Sequence, residues 1–107
     1  MRLREIKLVS EVETLDAMNQ PTTTKTAGET LVVEFRSVSS SEFFSARQGG
    51  LLPEFSFIIS AFDYHGEKEV EYNGDRYAVY RTYKPDDDTV EVYCQTESGV
   101  SYVESGD

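Results

Sequence analysis

Hydrophobic and polar residues alternate along several short stretches of this chain, and the alternation predicts β-strands. Successive side chains of a strand lie on opposite faces, so a period of two gathers apolar residues on one buried face. In the third stretch Phe55, Phe57 and Ile59 share one face. Ile58 and Phe62 occupy the other face, so we expect this strand to be buried on both sides. The predicted strands cover residues 3–12, 30–38, 54–63, 67–72, 76–84 and 88–96.

Turn-forming residues separate the later strands. Asn73-Gly74 is typical of a two-residue hairpin, because both turn positions tolerate a positive φ. Tyr64-His65-Gly66 predicts a turn before the fourth strand, and Pro85 with the three aspartates after it predicts one before the sixth. Short strands with turns at about this spacing are typical of a small β-barrel or sandwich.

A short helix, Ser40–Gln48, is predicted between the second and third strands. Ser39 and Glu42 have the spacing of a capping box, and Gly49-Gly50 ends the helix because glycine adopts the left-handed conformation at little cost. Phe43 and Phe44 are adjacent and cannot both face inward. Either one of them contacts another molecule, or both pack under neighbouring loops.

Residues 13–28 lose the alternation and predict a long mobile loop between the first and second strands. The segment contains a proline, three consecutive threonines and no aromatic residue. Loops of this length in compact domains are usually functional or mobile, although a frayed surface loop is the alternative. We therefore expect a mainly β protein: a six-stranded barrel or sandwich in residues 1–96, with one inserted helix, followed by a loosely ordered tail in residues 97–107.

The charge of the chain is strongly negative. Its 20 acidic and 10 basic residues give a net charge of −10. Such a surface repels phosphate and disfavours a nucleic-acid groove, although acidic charge is also a common means of solubility. Glu67, Glu69 and Glu71 share one face of the fourth strand and predict an exposed acidic ladder. The ladder would protect an edge strand, mate with a basic partner or face a DNA passage.

Catalytic and metal-binding motifs are not found in the sequence. His65 stands alone in a turn, and adjacent aspartates such as Asp86 and Asp87 rarely converge on one ion. The single cysteine, Cys94, shares the apolar phase of the last strand with Val92, which predicts a buried thiol in a protein made in a reducing cytoplasm. No apolar run approaches the length of a signal-peptide core or a membrane span, so we expect no membrane insertion.

Several motifs in residues 29–95 resemble the head-closure, or head–tail joining, proteins of long-tailed bacteriophages. They are, in order, a serine-rich helix start with Glu42 and Ala46, then Tyr64-x-Gly66-Glu67, Val70-x-Tyr72-x-Gly74-x-x-Tyr77, Val79-Tyr80-Arg81-Thr82-Tyr83 and Glu91-Val92-Tyr93. Each motif is short, and the resemblance rests on their order.

The resemblance implies a non-enzymatic virion protein at the head–tail interface that needs no cofactor. Relatives form a ring, expected to hold twelve copies, beneath the portal and adaptor. This ring, or stopper, retains the packaged DNA without reading its sequence and gives the tail a docking surface. In relatives a long early loop points into the channel, and the corresponding candidates here are Glu13, Asp16, Asn19, Gln20, Thr22, Thr23, Thr24 and Lys25. Candidates for subunit or partner contacts are Phe43, Phe44, Arg47, Tyr80, Arg81, Tyr83, Asp86 and Asp87.

An alternative function follows from charge alone. A small acidic protein can present carboxylates at phosphate-like spacing and inhibit a DNA-binding enzyme as a DNA mimic. Such a mimic should compete with DNA and release its target as salt rises.

Overall fold

Six antiparallel strands close into a barrel in the computed structural model, which describes residues 2–96. The mainly β fold with one inserted helix is therefore confirmed, as a barrel rather than a sandwich. The neighbours around the barrel follow the order β1-β2-β3-β6-β5-β4. The tail predicted for residues 97–107 lies outside the described residues. The strands are β1 (Arg2–Leu15), β2 (Pro21–Ser37), β3 (Pro53–Ser60), β4 (Glu69–Tyr72), β5 (Asp75–Tyr83) and β6 (Thr89–Thr96).

The barrel interior is filled by the apolar phase of each strand. Phe57, Val70, Val92 and Cys94 have no exposed surface, which confirms the alternation as a guide to the core. Phe62 is the exception, since 86% of its surface is exposed. The expectation that it would be buried was wrong because β3 ends at Ser60 and the chain turns away before Phe62.

Aromatic rings fill one part of this interior. The Phe55 ring lies 4.7 Å from that of Tyr77, 5.1 Å from that of Phe57 and 5.4 Å from that of Tyr72, measured between centroids in edge-to-face geometry. Such pairs add about 0.5–1.5 kcal/mol each beyond their area burial. Tyr72 and Tyr77 therefore stabilise the core.

The helix α1 (Ser40–Gln48) has the predicted bounds. The Ser39 hydroxyl accepts a hydrogen bond from the Glu42 backbone N–H at 3.2 Å, and Gly50 adopts a φ of 84° after the last turn. Ala46 is the buried residue of the helix, so α1 packs on the outside of the barrel through a narrow contact.

The hairpin between β4 and β5 also matches its prediction. Asn73 and Gly74 have φ values of 56° and 85°, and Tyr72 pairs directly with Asp75. Both turn residues lie in the left-handed region, which asparagine and glycine tolerate best.

Residues 13–28 are not an unstructured loop, and this part of the prediction was wrong. β1 continues to Leu15 and β2 begins at Pro21, and the two strands pair from Leu15↔Pro21 back to Val9↔Ala27. The apolar alternation disappears there because residues 10–15 and 21–26 are exposed on both faces. A strand without a buried face needs no hydrophobic period.

The strand register gives the barrel two distinct ends. The pairs Val9↔Ala27 and Ser60↔Thr89 lie at one end, which we call the hairpin end because the paired residues 10–26 continue beyond it. The pair Arg2↔Phe35 lies at the other, which we call the arginine end. The turn at residues 84–88 belongs to the hairpin end, since it joins β5 to the start of β6.

Candidate partner-binding surfaces

A β-hairpin projects from the barrel and contains all eight candidates for the channel loop. Six exposed residues on each strand extend it by about 20 Å at the usual rise per residue. Three exposed apolar side chains lie towards its tip: Val12 at 51%, Leu15 at 66% and Met18 at 77% exposure. A hairpin that buries so little against the rest of its own chain is available for contact with another molecule.

The tip of this hairpin is held by local hydrogen bonds. The Asp16 Oδ1 atom accepts from the backbone N–H groups of Met18 and Gln20 at 2.8 and 2.9 Å. Asn19 adopts the left-handed conformation with a φ of 59°. Asp16, Asn19 and Gln20 thus form the turn. Asp16 and Asn19, followed by β-branched threonines, are a sequence signal for a hairpin that the loop prediction missed.

The remaining channel candidates lie in the paired strands. Glu13 pairs with Thr23, and Thr24 pairs with Val12. The hydroxyls of Thr22 and Thr14 lie 3.1 Å apart across the hairpin. The hairpin therefore presents its polar candidates on a paired, ordered scaffold.

The acidic ladder of β4 is not exposed as expected. The Glu69 and Glu71 side chains are 13% and 29% exposed. Lys25 of β2 forms an ion pair with Glu69, and Arg76 Nε donates to Glu71 Oε1 at 3.1 Å. β4 is also not an edge strand, because it pairs with both β1 and β5. Because the barrel closes, cations lie beside these glutamates, which form an ion-paired cluster at the base of the hairpin and not an exposed ladder.

Glu67, the third member of that ladder, stabilises the turn before β4. Its Oε1 atom accepts from the His65 backbone N–H at 2.7 Å, and its carbonyl accepts from the Tyr64 hydroxyl at 2.6 Å. The His65 side chain is 74% exposed, with its Nδ1 atom 3.8 Å from Glu67 Oε2. His65 is therefore an exposed turn residue.

The second surface is the apolar side of α1. Phe43 and Phe44 are 45% and 67% exposed, and their ring centroids lie 6.4 Å apart. Arg47 and the 37%-exposed Leu52 lie beside Phe43 in the same shallow groove. Both phenylalanines are accessible, so Phe43, Phe44 and Arg47 form an exposed surface and a candidate for contacts, which we call the helix surface.

A clamp of polar side chains holds α1 against β5. Arg81 Nη2 donates to Glu42 Oε1 at 2.6 Å, and the Tyr80 hydroxyl donates to Glu42 Oε2 at 2.8 Å. The Arg81 guanidinium also stacks 4.1 Å from the centroid of the Tyr93 ring. Burial, followed by the hydrogen bond to Glu42, raises the pKa of Tyr80. Tyr80 and Arg81 therefore position the helix surface instead of offering free contacts.

The last three interface candidates lie at the hairpin end. Tyr83 is 52% exposed. Asp86 closes its own turn, because its Oδ1 atom accepts from the backbone N–H groups of Asp88 and Thr89 at 2.8 and 2.9 Å. These bonds lower the pKa of Asp86. Asp87 is exposed and borders a shallow depression with Phe62, a contact candidate that the alternation pattern missed.

The arginine end has a pair of cations that the sequence analysis did not single out. Arg2 and Arg4 follow the period of two that places Ile6 and Leu8 inside the barrel. Their guanidinium carbons lie 5.0 and 5.3 Å from the centroid of the Phe35 ring. The sequence signal for this pair was the alternation of β1, in which Arg2 and Arg4 occupy the same phase as Ile6 and Leu8. The long aliphatic stem of arginine can lie along an apolar face.

Cys94 is a free cysteine in the core of the barrel. The thiol is fully buried in β6, which confirms the predicted burial, and this burial raises its pKa to about 12. Within residues 2–96, no group of three or more His, Cys, Asp or Glu side chains has a metal-binding arrangement. No helix in that range is both long and apolar enough to span a membrane.

Comparisons with known proteins add no family assignment. No protein-family model matches this chain, and a search of curated proteins finds no significant match.

Proposed function

We propose that this chain is a head-closure subunit of a long-tailed bacteriophage, which assembles into a ring between portal–adaptor and tail. The observation that carries the proposal is the closed barrel with an ordered hairpin projecting from one end. In the proposed ring the hairpins reach into the channel and retain the packaged DNA. The barrels form the wall of the ring.

The chemistry of the hairpin suits a channel through which DNA passes. Residues 10–26 carry three carboxylates, Glu11, Glu13 and Asp16, and one cation, Lys25. Lys25 is paired with Glu69, so the hairpin has a net negative charge and little free cation to bind phosphate. A ring of such hairpins repels the DNA backbone and limits sticking during genome passage. The apolar tip residues Leu15 and Met18 would meet one another, or a neighbouring subunit, when the channel is closed.

The helix surface suits attachment to another virion protein. A ring uses heterologous contacts, in which each subunit presents two different faces. Phe43 and Phe44 supply exposed aromatic area, which is enriched in protein interfaces. The Glu42 clamp fixes their orientation, and a contact surface on a rigid element binds with a smaller entropy cost. We assign this surface to the tail or adaptor and the hairpin to channel closure.

The proposal is tested by complementing a parent phage that lacks the gene. A tip variant, Leu15→Ser with Met18→Ser, should form virions with attached tails that lose DNA. A helix-surface variant, Phe43→Ser with Phe44→Ser, should leave filled heads without tails. The matched control is Leu3→Ser with Val32→Ser, which removes two exposed apolar side chains elsewhere and should complement fully. Plaque counts, electron microscopy and nuclease-protected DNA report the three outcomes.

Capture of partners from infected cells provides the second arm of the test. Recovery of portal, adaptor or tail proteins supports the proposal. The proposal fails if the phage without the gene makes normal infectious particles. It also fails if the captured partner is a nuclease or polymerase that moderate salt releases, which would favour the DNA mimic. The pairing of Glu69 and Glu71 with cations weakens that alternative, since their carboxylates are not free to imitate phosphates.

A further inference from the structure

The arginine end of the barrel contains a preorganised cationic site, which we call the arginine mouth. It consists of Arg2, Arg4, Phe35 and Tyr72. Both guanidiniums lie over the Phe35 ring, at 5.0 and 5.3 Å from its centroid. Arg4 Nε donates to the Tyr72 hydroxyl at 3.2 Å, and Arg2 Nη2 lies 3.4 Å from the Ser37 hydroxyl. Stacking restricts the two long side chains before any partner arrives, so less entropy is lost on binding.

The charges of the arginine mouth are uncompensated within residues 2–96. Neither Arg2 nor Arg4 has a carboxylate within ion-pair distance in that part of the chain, and Arg4 Nη1 donates only to the Leu3 carbonyl, at 2.9 Å. Among the described residues Arg36, Arg76 and Arg81 each pair with a glutamate, and Arg47, like the two mouth arginines, does not. The mouth differs from Arg47 in holding two unpaired guanidiniums over one ring, in a protein with a net charge of −10. The planar guanidinium binds carboxylate groups through two parallel hydrogen bonds, so the mouth is suited to an acidic side chain.

A matching acidic element lies at the opposite end of the same barrel. Asp87 and Asp88 are exposed in the turn between β5 and β6, and no hydrogen bond or ion pair of either carboxylate is found within residues 2–96. Asp86 holds this turn rigid through three bonds to its Oδ1 atom, from the Asp88 N–H, the Thr89 N–H and the Thr89 hydroxyl. The strand β6 (Thr89–Thr96) separates the two ends by about 25 Å.

We infer that the arginine mouth binds the Asp87–Asp88 turn of a second copy of this chain. Complementary charge favours this occupant, and the placement at opposite ends makes the contact head-to-tail. In an open row of subunits joined head to tail, one mouth and one turn remain unbound at the two ends. Closure of the row into a ring lets these two bind each other. The inference deepens the proposed ring by naming one subunit contact, but it is tested with this protein alone.

The test uses two variants, each with one original and one charge-reversed end, so that neither can pair with itself. Mixed together they can join through the original mouth and turn or through the two reversed ends, and only the first contact involves the mouth of the labelled variant. Asp87→Arg with Asp88→Arg keeps the mouth and reverses the turn, while Arg2→Glu with Arg4→Glu keeps the turn and reverses the mouth. The first variant, labelled with ¹⁵N, is titrated with the unlabelled second variant to about 1 mM, a range in which weak association is visible by NMR. We expect saturable shifts at Arg2, Arg4, Phe35 and Tyr72, and a Kd that rises at least about tenfold from low to high salt.

The controls separate charge from folding. The unlabelled chain with all four substitutions should give no shifts at the mouth of the labelled variant, because its turn is reversed; its reversed mouth can shift only the labelled turn. By itself, that fourfold variant should regain self-association, since its two ends are again complementary. Lys7→Glu with Lys68→Glu makes the same change in net charge outside the mouth and should leave the association of the parent chain within about twofold. Circular dichroism confirms that each variant is folded.

The inference is wrong if the two complementary variants give no shifts at the mouth, or if the shifts persist in the fourfold variant. Failure here with successful phage complementation would leave the proposed function intact and place the ring contacts elsewhere. Mouth-to-turn binding with failed complementation would instead leave a self-associating protein with another role.

Discussion

Removing the carboxylate of Glu42 should loosen α1 from the barrel while leaving the barrel itself folded. Glu42 is 17% exposed, and it accepts from Arg81 Nη2 at 2.6 Å and from the Tyr80 hydroxyl at 2.8 Å. Hydrogen bonds to a charged group contribute about 1.5–3 kcal/mol when they are buried. Arg81 is 43% exposed, so solvent reduces its share to about 0.5–1 kcal/mol. Glu42→Ala also leaves the Tyr80 hydroxyl without its acceptor, so the substitution should destabilise the protein by about 2 kcal/mol in total.

A double-mutant cycle isolates the interaction within this total. Glu42→Ala, Arg81→Ala and their combination should give a coupling energy of about 1 kcal/mol, and the cycle with Tyr80→Phe should give a similar value. Urea unfolding followed by far-UV circular dichroism measures each free energy of unfolding; the chain has no tryptophan for fluorescence. Ser41→Ala, in the same helical turn, is the matched control and should change stability by less than about 0.5 kcal/mol.

Hydrogen exchange locates the effect. In Glu42→Ala the amides of Ser40–Gln48 should exchange faster, while those of β3 and β6 should keep their relative protection. A coupling below about 0.3 kcal/mol in both cycles, or unchanged exchange in the helix, would refute the view that the clamp holds α1. The narrow apolar contact around Ala46 would then be sufficient by itself.

Three further predictions concern the core, the thiol and the turn at the hairpin end. Phe57→Ala should destabilise the barrel by about 3–5 kcal/mol, because Phe57 is fully buried. Urea unfolding measures this cost, with Phe44→Ala as the control at an exposed position. A similar loss of stability in both variants would contradict the described core. Cys94 should react with a thiol reagent only as fast as the barrel unfolds locally or globally, because its side chain is buried and its pKa is raised to about 12. Rapid labelling of the folded chain at neutral pH would be inconsistent with this burial. The bonds to Asp86 lower the pKa of its carboxyl, so its stabilisation is present above the unfolded pKa of about 4 and is lost as the pH falls through the lower folded value. Asp86→Ala should therefore flatten the acid side of the stability profile relative to Asp87→Ala, and identical profiles would disprove the role of Asp86.

The local elements were predictable where one residue pattern had one physical solution. Asn73-Gly74 favours a two-residue turn because both positions must adopt a positive φ, and the structure has that turn. Ser39 and Gly50 bound the helix for equally local reasons, namely an N-terminal cap and a left-handed end. The buried phase of β6 was visible in Val90, Val92 and Cys94, because a strand with one buried face must alternate.

The hairpin could not be found by the same rule. Its strands have solvent on both sides, so the apolar period on which strand prediction depends is missing from residues 10–26. Pairing with residues 12–14 across the hairpin shows that Thr22, Thr23 and Thr24 belong to β2. Phe62 was misplaced for a related reason, because the residue at which β3 ends depends on its pairing with β6 and not on hydrophobicity.

Local residue patterns were enough to predict the strand-rich fold, the helix, the tight turn and most of the core, because each depends on neighbours a few residues apart. The tertiary structure alone decided which charges meet. Glu69 and Glu71 looked like an exposed ladder until barrel closure brought Lys25 and Arg76 beside them. The same closure set Arg2 and Arg4 over Phe35 at one end of the barrel. Ion pairing and cation–π contact depend on distances between strands remote in sequence, and only the register of the closed barrel sets those distances.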